Sequence, residues 1–500
     1  LGRNVSVLAG ATLASRVLGY ARDLVVAFTL GASPLADAFF VAFRLPNLLR
    51  RLFGEGALTM AFVPVFCAAR RERGEAAAFA MARAAGFWLL VVLGAACALA
   101  VLFPEPLVLL VAPGFAKDPA LLARAAAMAR ICFPYALCIC GVALCMGVLN
   151  SMGRFLAPAL APVVLNLCLI AGALGAWRAG YDVALALCWS VLAAGVLQWV
   201  LQQPFLRAAG FSWRGPWRPA DRHAREAGRL LLPTLAGAAA FQTAVLLGTV
   251  MASLLERGAV AHLYYADRLV QLPLGVFAVA VGTAALPDLS ALAAAGRTDG
   301  FLRTVDQALG LALFLNLPAA AGLAALAGPI VALLFERGAF GAADATATAQ
   351  ALAAFAAGLP ALAATRPLAA AFYARRRVRP PVVAAVASLA IFAACGALLM
   401  GPLGHVGIAL AVSASAWANA LCLARALRRE LGPWFRAGGR VAAMAGLSLA
   451  VGAAALWSLR WGPGAAVGCI PLWALLYLGA AHALGLREAR DALAALRRTR

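Results

Sequence analysis

The sequence predicts an all-α polytopic membrane protein of about fourteen transmembrane helices. Three observations carry that expectation. Its 500 residues are 64% hydrophobic and only 12% charged, half the charge of an ordinary globular domain. The mean hydropathy is +0.90. Apolar stretches long enough to span a bilayer recur from end to end, with neither the strand alternation nor the regular turns of a β-barrel. This composition excludes a soluble enzyme, a disulfide scaffold and a disordered chain.

The expected helices follow in order. The first, 3–30, is long and carries Arg16 and Arg22. It is unlike a signal peptide, which has a short apolar region and a cleavage site. The second, 35–66, contains Pro46 and Pro64. The third, 80–112, follows a connection with Arg70, Arg71 and Arg73; the fourth, 121–149, holds Cys132, Cys138, Cys140 and Cys145. Arg154 separates the fourth from the fifth, 155–177, and Arg178 separates that from the sixth, 183–206. A connection rich in arginine leads to the seventh, 229–254. The eighth, 260–290, contains Pro273 and Pro287; the ninth and tenth cover 304–334 and 344–373. Arg375, Arg376, Arg377 and Arg379 precede the eleventh, 380–401, which the twelfth, 404–427, follows closely. The last two are 440–459 and 464–485. Helices longer than about 20 residues tilt or project from the bilayer.

Charge sorts the connections. Those after even-numbered helices, with the C-terminal tail, hold twenty-seven basic residues; those after odd-numbered helices hold six. The positive-inside rule then places both termini in the cytoplasm. The net charge of +22 follows from topology, and no nucleic acid partner is expected. Lysine occurs once, at Lys117.

Pro64 and Pro287, Pro106 and Pro329, and Pro158 and Pro381 share one spacing, six helices along the chain. An even shift gives two copies of one orientation, parallel repeats about an axis along the membrane normal. The expected domains are six-helix lobes at 1–210 and 220–430, two extra helices at 437–486 and a basic cytoplasmic tail at 487–500.

Cofactor chemistry finds little support. The clustered cysteines lie in an apolar helical run, without a CxxC pair, and the four histidines form no HExxH. Walker A and GxSxG motifs are absent. The expectation is a protein that is not an enzyme, with no cofactor and no metal.

Arginines inside the helices carry the functional signal. Arg16, Arg22, Arg44, Arg50, Arg51, Arg130, Arg268 and Arg366 lie within or at the ends of membrane segments. One at the helix centre costs about 2.5 to 3.5 kcal/mol on insertion scales. Such residues face water or a partner inside the bundle. Asp23, seven residues after Arg16, is one candidate partner; Asp37, Glu55 and Asp267 are others. The first two helices hold more cations than acids, so a cavity they line attracts an anion. Arginine forks suit phosphate oxygens.

The segment Ser15-Arg-Val-Leu-Gly-Tyr-Ala-Arg-Asp23 resembles the opening helix of the MurJ/MviN family of lipid II flippases. So does Ala36-Asp-Ala-Phe-Phe-Val-Ala-Phe-Arg-Leu-Pro-Asn-Leu-Leu-Arg-Arg-Leu-Phe-Gly-Glu-Gly-Ala57, continuing to Ala61-Phe-Val-Pro64. The likeness recurs at Ala112-Pro-Gly-Phe115, Tyr264-Tyr-Ala-Asp-Arg-Leu269, Leu272-Pro-Leu-Gly-Val-Phe277 and Leu334-Phe-Glu-Arg-Gly-Ala-Phe340. The resemblance implies the fold of the multidrug/oligosaccharidyl-lipid/polysaccharide exporter superfamily, two six-helix lobes around a central cavity, here cationic, in which the last two helices form a lipid-facing groove. It implies movement of undecaprenyl-pyrophosphate-linked peptidoglycan precursor (lipid II) from the inner to the outer leaflet of the bacterial inner membrane, for cell-wall biogenesis. Arg16, Arg22, Arg50 and Arg268 match the family's substrate-binding arginines, and Asp37 and Glu55 its important acids. Asp23 and Asp267 are further candidates for coupling or gating. Some members bind sodium through an acid in the seventh helix, where this chain has Gln242 and no acid between Leu230 and Leu254. Without a nucleotide motif, the membrane potential or a proton or monovalent cation gradient is the expected energy source. Lipid II and membrane lipids are the expected partners, with proteins of cell-wall synthesis or division as candidates. The alternatives are an exporter of another polyprenyl-linked oligosaccharide, a drug/ion antiporter of the same superfamily, or a membrane enzyme acting on lipid diphosphates. A cation exporter calls for an acidic cavity, and such an enzyme for clustered Asp or His.

Overall fold

The computed structural model describes residues 2–52, 58–217, 219–275, 279–433 and 438–491. The described residues are helical, joined by turns and short 3₁₀ segments. Contacts divide the chain into two compact units: Leu1–Ala261 with Arg337–Phe340, and His262–Glu336 with Gly341–Arg500.

The first unit contains α1 (Gly2–Leu30), α2 (Pro34–Leu52), α3 (Leu58–Arg73), α4 (Glu75–Leu102), α5 (Pro104–Val111), α6 (Pro119–Cys132), α7 (Tyr135–Ser151), α8 (Leu156–Ala179), α9 (Val183–Ala208) and α10 (Arg222–Ser253). Helix α1 packs on α8, α8 on α9, α2 on α6, and α3 on α4, α7 and α10. Phe62, Phe66, Phe79, Met81, Leu144 and Phe211 form its largest buried cluster.

Local chemistry sets the ends of these helices. Asp118, Asp182 and Asp221 accept backbone N–H bonds from Leu121, Leu185 and Ala224, capping α6, α9 and α10. Gly180 ends α8 at φ 71°, and Tyr181 N–H returns to the Ala176 carbonyl, the left-handed stop that glycine makes inexpensive.

The second unit begins in α11 (Ala259–Pro273) and continues through α12 (Val279–Ala294), α13 (Thr298–Ala325), α14 (Ala327–Phe335), α15 (Ala342–Ala356), α16 (Leu359–Ala374), α17 (Arg379–Leu431), α18 (Gly438–Ser458), α19 (Pro463–Gly468) and α20 (Ile470–Ala483). Its core gathers Leu289, Phe301, Leu309, Leu368, Phe372 and Leu423. Helix α17 is 53 residues long but turns at Gly404, with φ 55° and ψ −135°. It therefore supplies the two spans expected at 380–401 and 404–427. Helices α18 and α20 pack together and share a core with Phe314 of α13. Arg440 of α18 joins them to the rest of the unit: it donates to Asp306 of α13 at 2.6 Å and to Glu488 after α20.

Described helices, singly or as consecutive elements, fall within each of the fourteen expected spans. Among the described residues, seven helices are long and apolar enough to cross a membrane, or eight if the bent pair α15–α16 is one span. The fourth expected span, counted among these, is interrupted at Phe133-Pro134 between α6 and α7. Side chains such as Leu110, Leu398 and Leu449 are at least 70% exposed. On a water-soluble protein such a surface would aggregate; against lipid it costs nothing.

Candidate functional site

Arg16 and Arg22 lie on α1. Counted at 1.5 Å per residue from Leu30, they are about 21 and 12 Å along the helix. Arg16 is exposed and makes no hydrogen bond or ion pair among the described residues. Arg22 is held. Its Nη2 and Nε donate to Asp23 Oδ1 at 2.7 and 3.0 Å, and its Nη1 donates to Asn166 Oδ1 at 3.1 Å. Asp23, considered above as a partner for Arg16, therefore pairs with its sequence neighbour. Asn166 Nδ2 donates in turn to the Ser15 carbonyl at 3.1 Å, so one buried amide of α8 fixes both the backbone of α1 and its guanidinium.

Arg50 is in the last turn of α2, where Nε donates to Asn47 Oδ1 at 2.9 Å. Asp37, at the other end of α2, is 3% exposed. Its carboxylate accepts the backbone N–H groups of Gly258 and Ala261, at 2.6 and 2.8 Å. Those amides open α11 and have no partner within the helix. A side chain of α2 thus caps the helix that carries Arg268, with its charge at the positive end of the helix dipole.

In the second unit, Arg268 is about 14 Å along α11 from Ala259. Nη2 donates to the Tyr264 hydroxyl at 3.2 Å and Nη1 to Gln271 Oε1 at 3.3 Å; Cζ lies 4.8 Å from the Tyr264 ring centroid. Asp267 accepts from Gln271 Nε2. A ring face and two neutral oxygens are among the groups that steady the guanidinium. Glu55 lies outside the described residues. Among them, no group of three or more His, Cys, Asp or Glu is arranged to hold a metal ion.

The structure therefore joins Arg22 to Asp23, Asp37 to the start of α11, and Asp267 and Arg268 through Gln271. Sequence reasoning did not single out Asn166, Asn47 or Gln271. The available signal was an amide one or two turns from an arginine, or alone in an apolar helix.

Two quoted motifs gain a physical reason. Gly114 N–H donates to Ser253 Oγ at 3.2 Å, and a Cβ at 114 would lie 1.8 Å from the Ser253 carbonyl oxygen. Gly338 has φ 61°, and a Cβ there would be 2.4 Å from the Phe28 carbonyl oxygen, the atom that accepts Ala339 N–H at 2.9 Å. Only glycine permits either approach.

A family profile described as "Lipid II flippase MurJ" matches residues 26–467. The chain belongs to the MurJ family. A relative from Rhizobium meliloti (strain 1021), named "Probable lipid II flippase MurJ", is 39% identical over 430 residues, covering 85% of this chain and 80% of the relative. A "Lipid II flippase MurJ" from Burkholderia cenocepacia is 34% identical over 435 residues, with 86% and 84% covered. Among solved structures, "Lipid II flippase MurJ, inward closed conformation" superposes with a TM-score of 0.80 at 24% identity, covering 94% of this chain and 97% of the other. An inward-facing MATE family transporter gives a TM-score of 0.69 at 14% identity, covering 83% and 94%. These structural likenesses establish the fold; the family match, the relatives and the apolar helices make the chain a multi-pass bacterial membrane protein. Arg50, Asp37, Asp267 and Arg268 fall within the stretch matched to MurJ; Arg16, Arg22 and Asp23 lie just before it.

Proposed function

We propose that this chain carries lipid II from the inner to the outer leaflet of the bacterial cytoplasmic membrane by alternating access, for cell-wall biogenesis, with both termini cytoplasmic. The observation that carries the reading is Arg16: an exposed cation at mid-helix with no hydrogen bond or ion pair among the described residues. Lipid does not tolerate such a group, so it belongs in water, ready for an anion.

The substrate's headgroup carries a diphosphate and many polar groups, and moving it through hydrocarbon would strip their water. Arginines kept wet replace that hydration. Arg16, Arg22 and Arg268 bind the diphosphate, and Arg50, near the cytoplasmic end of α2, guides entry. The lipid tail stays in the bilayer along α18 and α20. The two lobes then exchange access, with bending at Pro46 and Pro273. The membrane potential supplies about 2.3 kcal/mol per charge per 100 mV. Asp37 serves this cycle as the cap of α11: protonation removes an acceptor from that helix's first turn, which links a proton to the helix bearing Arg268.

The test is complementation of a depleted bacterial host, together with an assay of precursor retained on the cytoplasmic leaflet. Arg16→Ala, Arg22→Ala and Arg268→Ala should reach the membrane yet leave the precursor inside. Growth at the wild-type rate with all three variants would overturn the proposal. Arg→Lys at these positions should fail as well, since lysine lacks the bidentate fork.

A further inference from the structure

The turn between α9 and α10 lies at a level that two helices define independently. Helix α4 carries its last charge at Arg83, after which no charged residue occurs until Glu105. Helix α9 is uncharged from Val183 to Leu206 and ends its apolar run at Arg207. Each run is about the length of one bilayer crossing, so Arg83 and Arg207 mark a membrane boundary. The turn is fastened there. Arg83 is buried and donates from Nη1 to the Ser212 carbonyl at 3.1 Å and from Nε to the Pro216 carbonyl at 3.3 Å. Gly215 makes room for it, since a Cβ there would be 2.8 Å from Arg83 Cζ. Trp88 Nε1 donates to the Pro219 carbonyl at 2.9 Å.

Aromatic rings pave this turn. Trp213 and Trp217 are 6.1 Å apart, Phe87 and Trp217 6.4 Å, and Phe87 and Trp88 5.6 Å, between centroids. The indole N–H of Trp213 is spent on Gln203 and that of Trp217 on the Trp213 carbonyl. Trp88 and Trp217 are nonetheless 51% and 41% exposed, offering apolar faces at the level where such rings sit in a membrane. Along this stretch of sequence the charge is one-sided, although Arg222 is paired with Glu72 of α3 at 3.2 Å. The stretch from Arg207 to Arg229 holds six arginines against Asp221 and Glu226, and Asp221 is occupied as the cap of α10. The side chains of Arg207 and Arg214 are exposed and make no hydrogen bond or ion pair among the described residues.

We propose that this turn, which carries the exposed side chains of Arg207 and Arg214 at the same boundary as the exposed indoles of Trp88 and Trp217, binds the phosphate of an anionic phospholipid in the adjoining leaflet. An apolar platform at the boundary takes the upper acyl region, and the arginines at the same level take the headgroup. That combination matches an amphiphile with a negative head better than a soluble anion, which has no use for the rings. Under the orientation proposed above, the leaflet is the cytoplasmic one, but the site does not depend on transport.

The test uses the full chain in mixed micelles of phosphatidylglycerol and phosphatidylcholine, with retained lipids counted by native mass spectrometry. Arg207→Gln/Arg214→Gln should weaken the tightest phosphatidylglycerol site by about fivefold per arginine, about 25-fold in all. Phosphatidylcholine retention should not change. Arg207→Lys/Arg214→Lys should stay within about twofold of wild type. Phosphatidylglycerol affinity within twofold of wild type in the glutamine pair would overturn the assignment. So would an equal loss of both lipids, which would mean that the turn had merely come loose or serves another partner.

Discussion

Replacing Asp37 with alanine tests whether this carboxylate acts through a helix end. The side chain is buried and holds the Gly258 and Ala261 amides at 2.6 and 2.8 Å. Alanine leaves both N–H groups without an acceptor in a place closed to water, at about 1–3 kcal/mol each. Relief of the carboxylate's own desolvation offsets part of that, leaving a loss of about 2–4 kcal/mol. Asparagine keeps one acceptor oxygen and should lose about half as much. The assay is unfolding of the purified protein in detergent, followed by exposure of its buried thiols, such as Cys132, Cys140 and Cys188. An Asp37→Ala protein within about 0.5 kcal/mol of wild type, the range of an ordinary surface substitution, would refute the capping role.

Three further outcomes are expected. Gly114→Ala drives a methyl group into the Ser253 carbonyl and should cost about 1–3 kcal/mol or more, read as lower yield and melting temperature. Asn166→Ala removes one acceptor from Arg22 and the tie to Ser15; it should impair complementation while Asn166→Gln partly restores it, and full activity of the alanine variant would exclude a positioning role. Asp118, in a connection outside the spans, has its carboxyl held below the usual range, first by the Leu121 N–H and also by Arg257, 2.6 Å away. Its contribution is present at neutral pH and lost as pH falls through the lowered pKa, so wild type and Asp118→Asn should differ in stability near pH 7 and converge in acid; a gap constant down to pH 2 would refute this.

The helical plan was legible because a bilayer imposes a length and turns charge into a marker of the ends, as at Arg154 and at Arg375 to Arg379. Breaks were harder to see. Proline is compatible with either a bend or a continuous membrane helix, so Pro134 ends a helix while Pro162 lies inside one. At 404 a single glycine, not a loop, separates two spans. Arginines in apolar segments stood out as costly, but what each one touches did not. Periodicity put Asp23 on the same face as Arg16, whereas the adjacent Arg22 folds back on it. Nothing local tells that Asp37 meets amides 221 residues later, because a cap borrowed from another helix leaves no pattern at either end.

That borrowed cap bears on how the chain is made. Synthesis runs from the N-terminus, so the carboxylate on α2 enters the membrane long before the amides it will satisfy. Until α11 arrives, burying that charge would be costly. That cost favours keeping the Asp37 end of α2 hydrated until the later helix brings its amides.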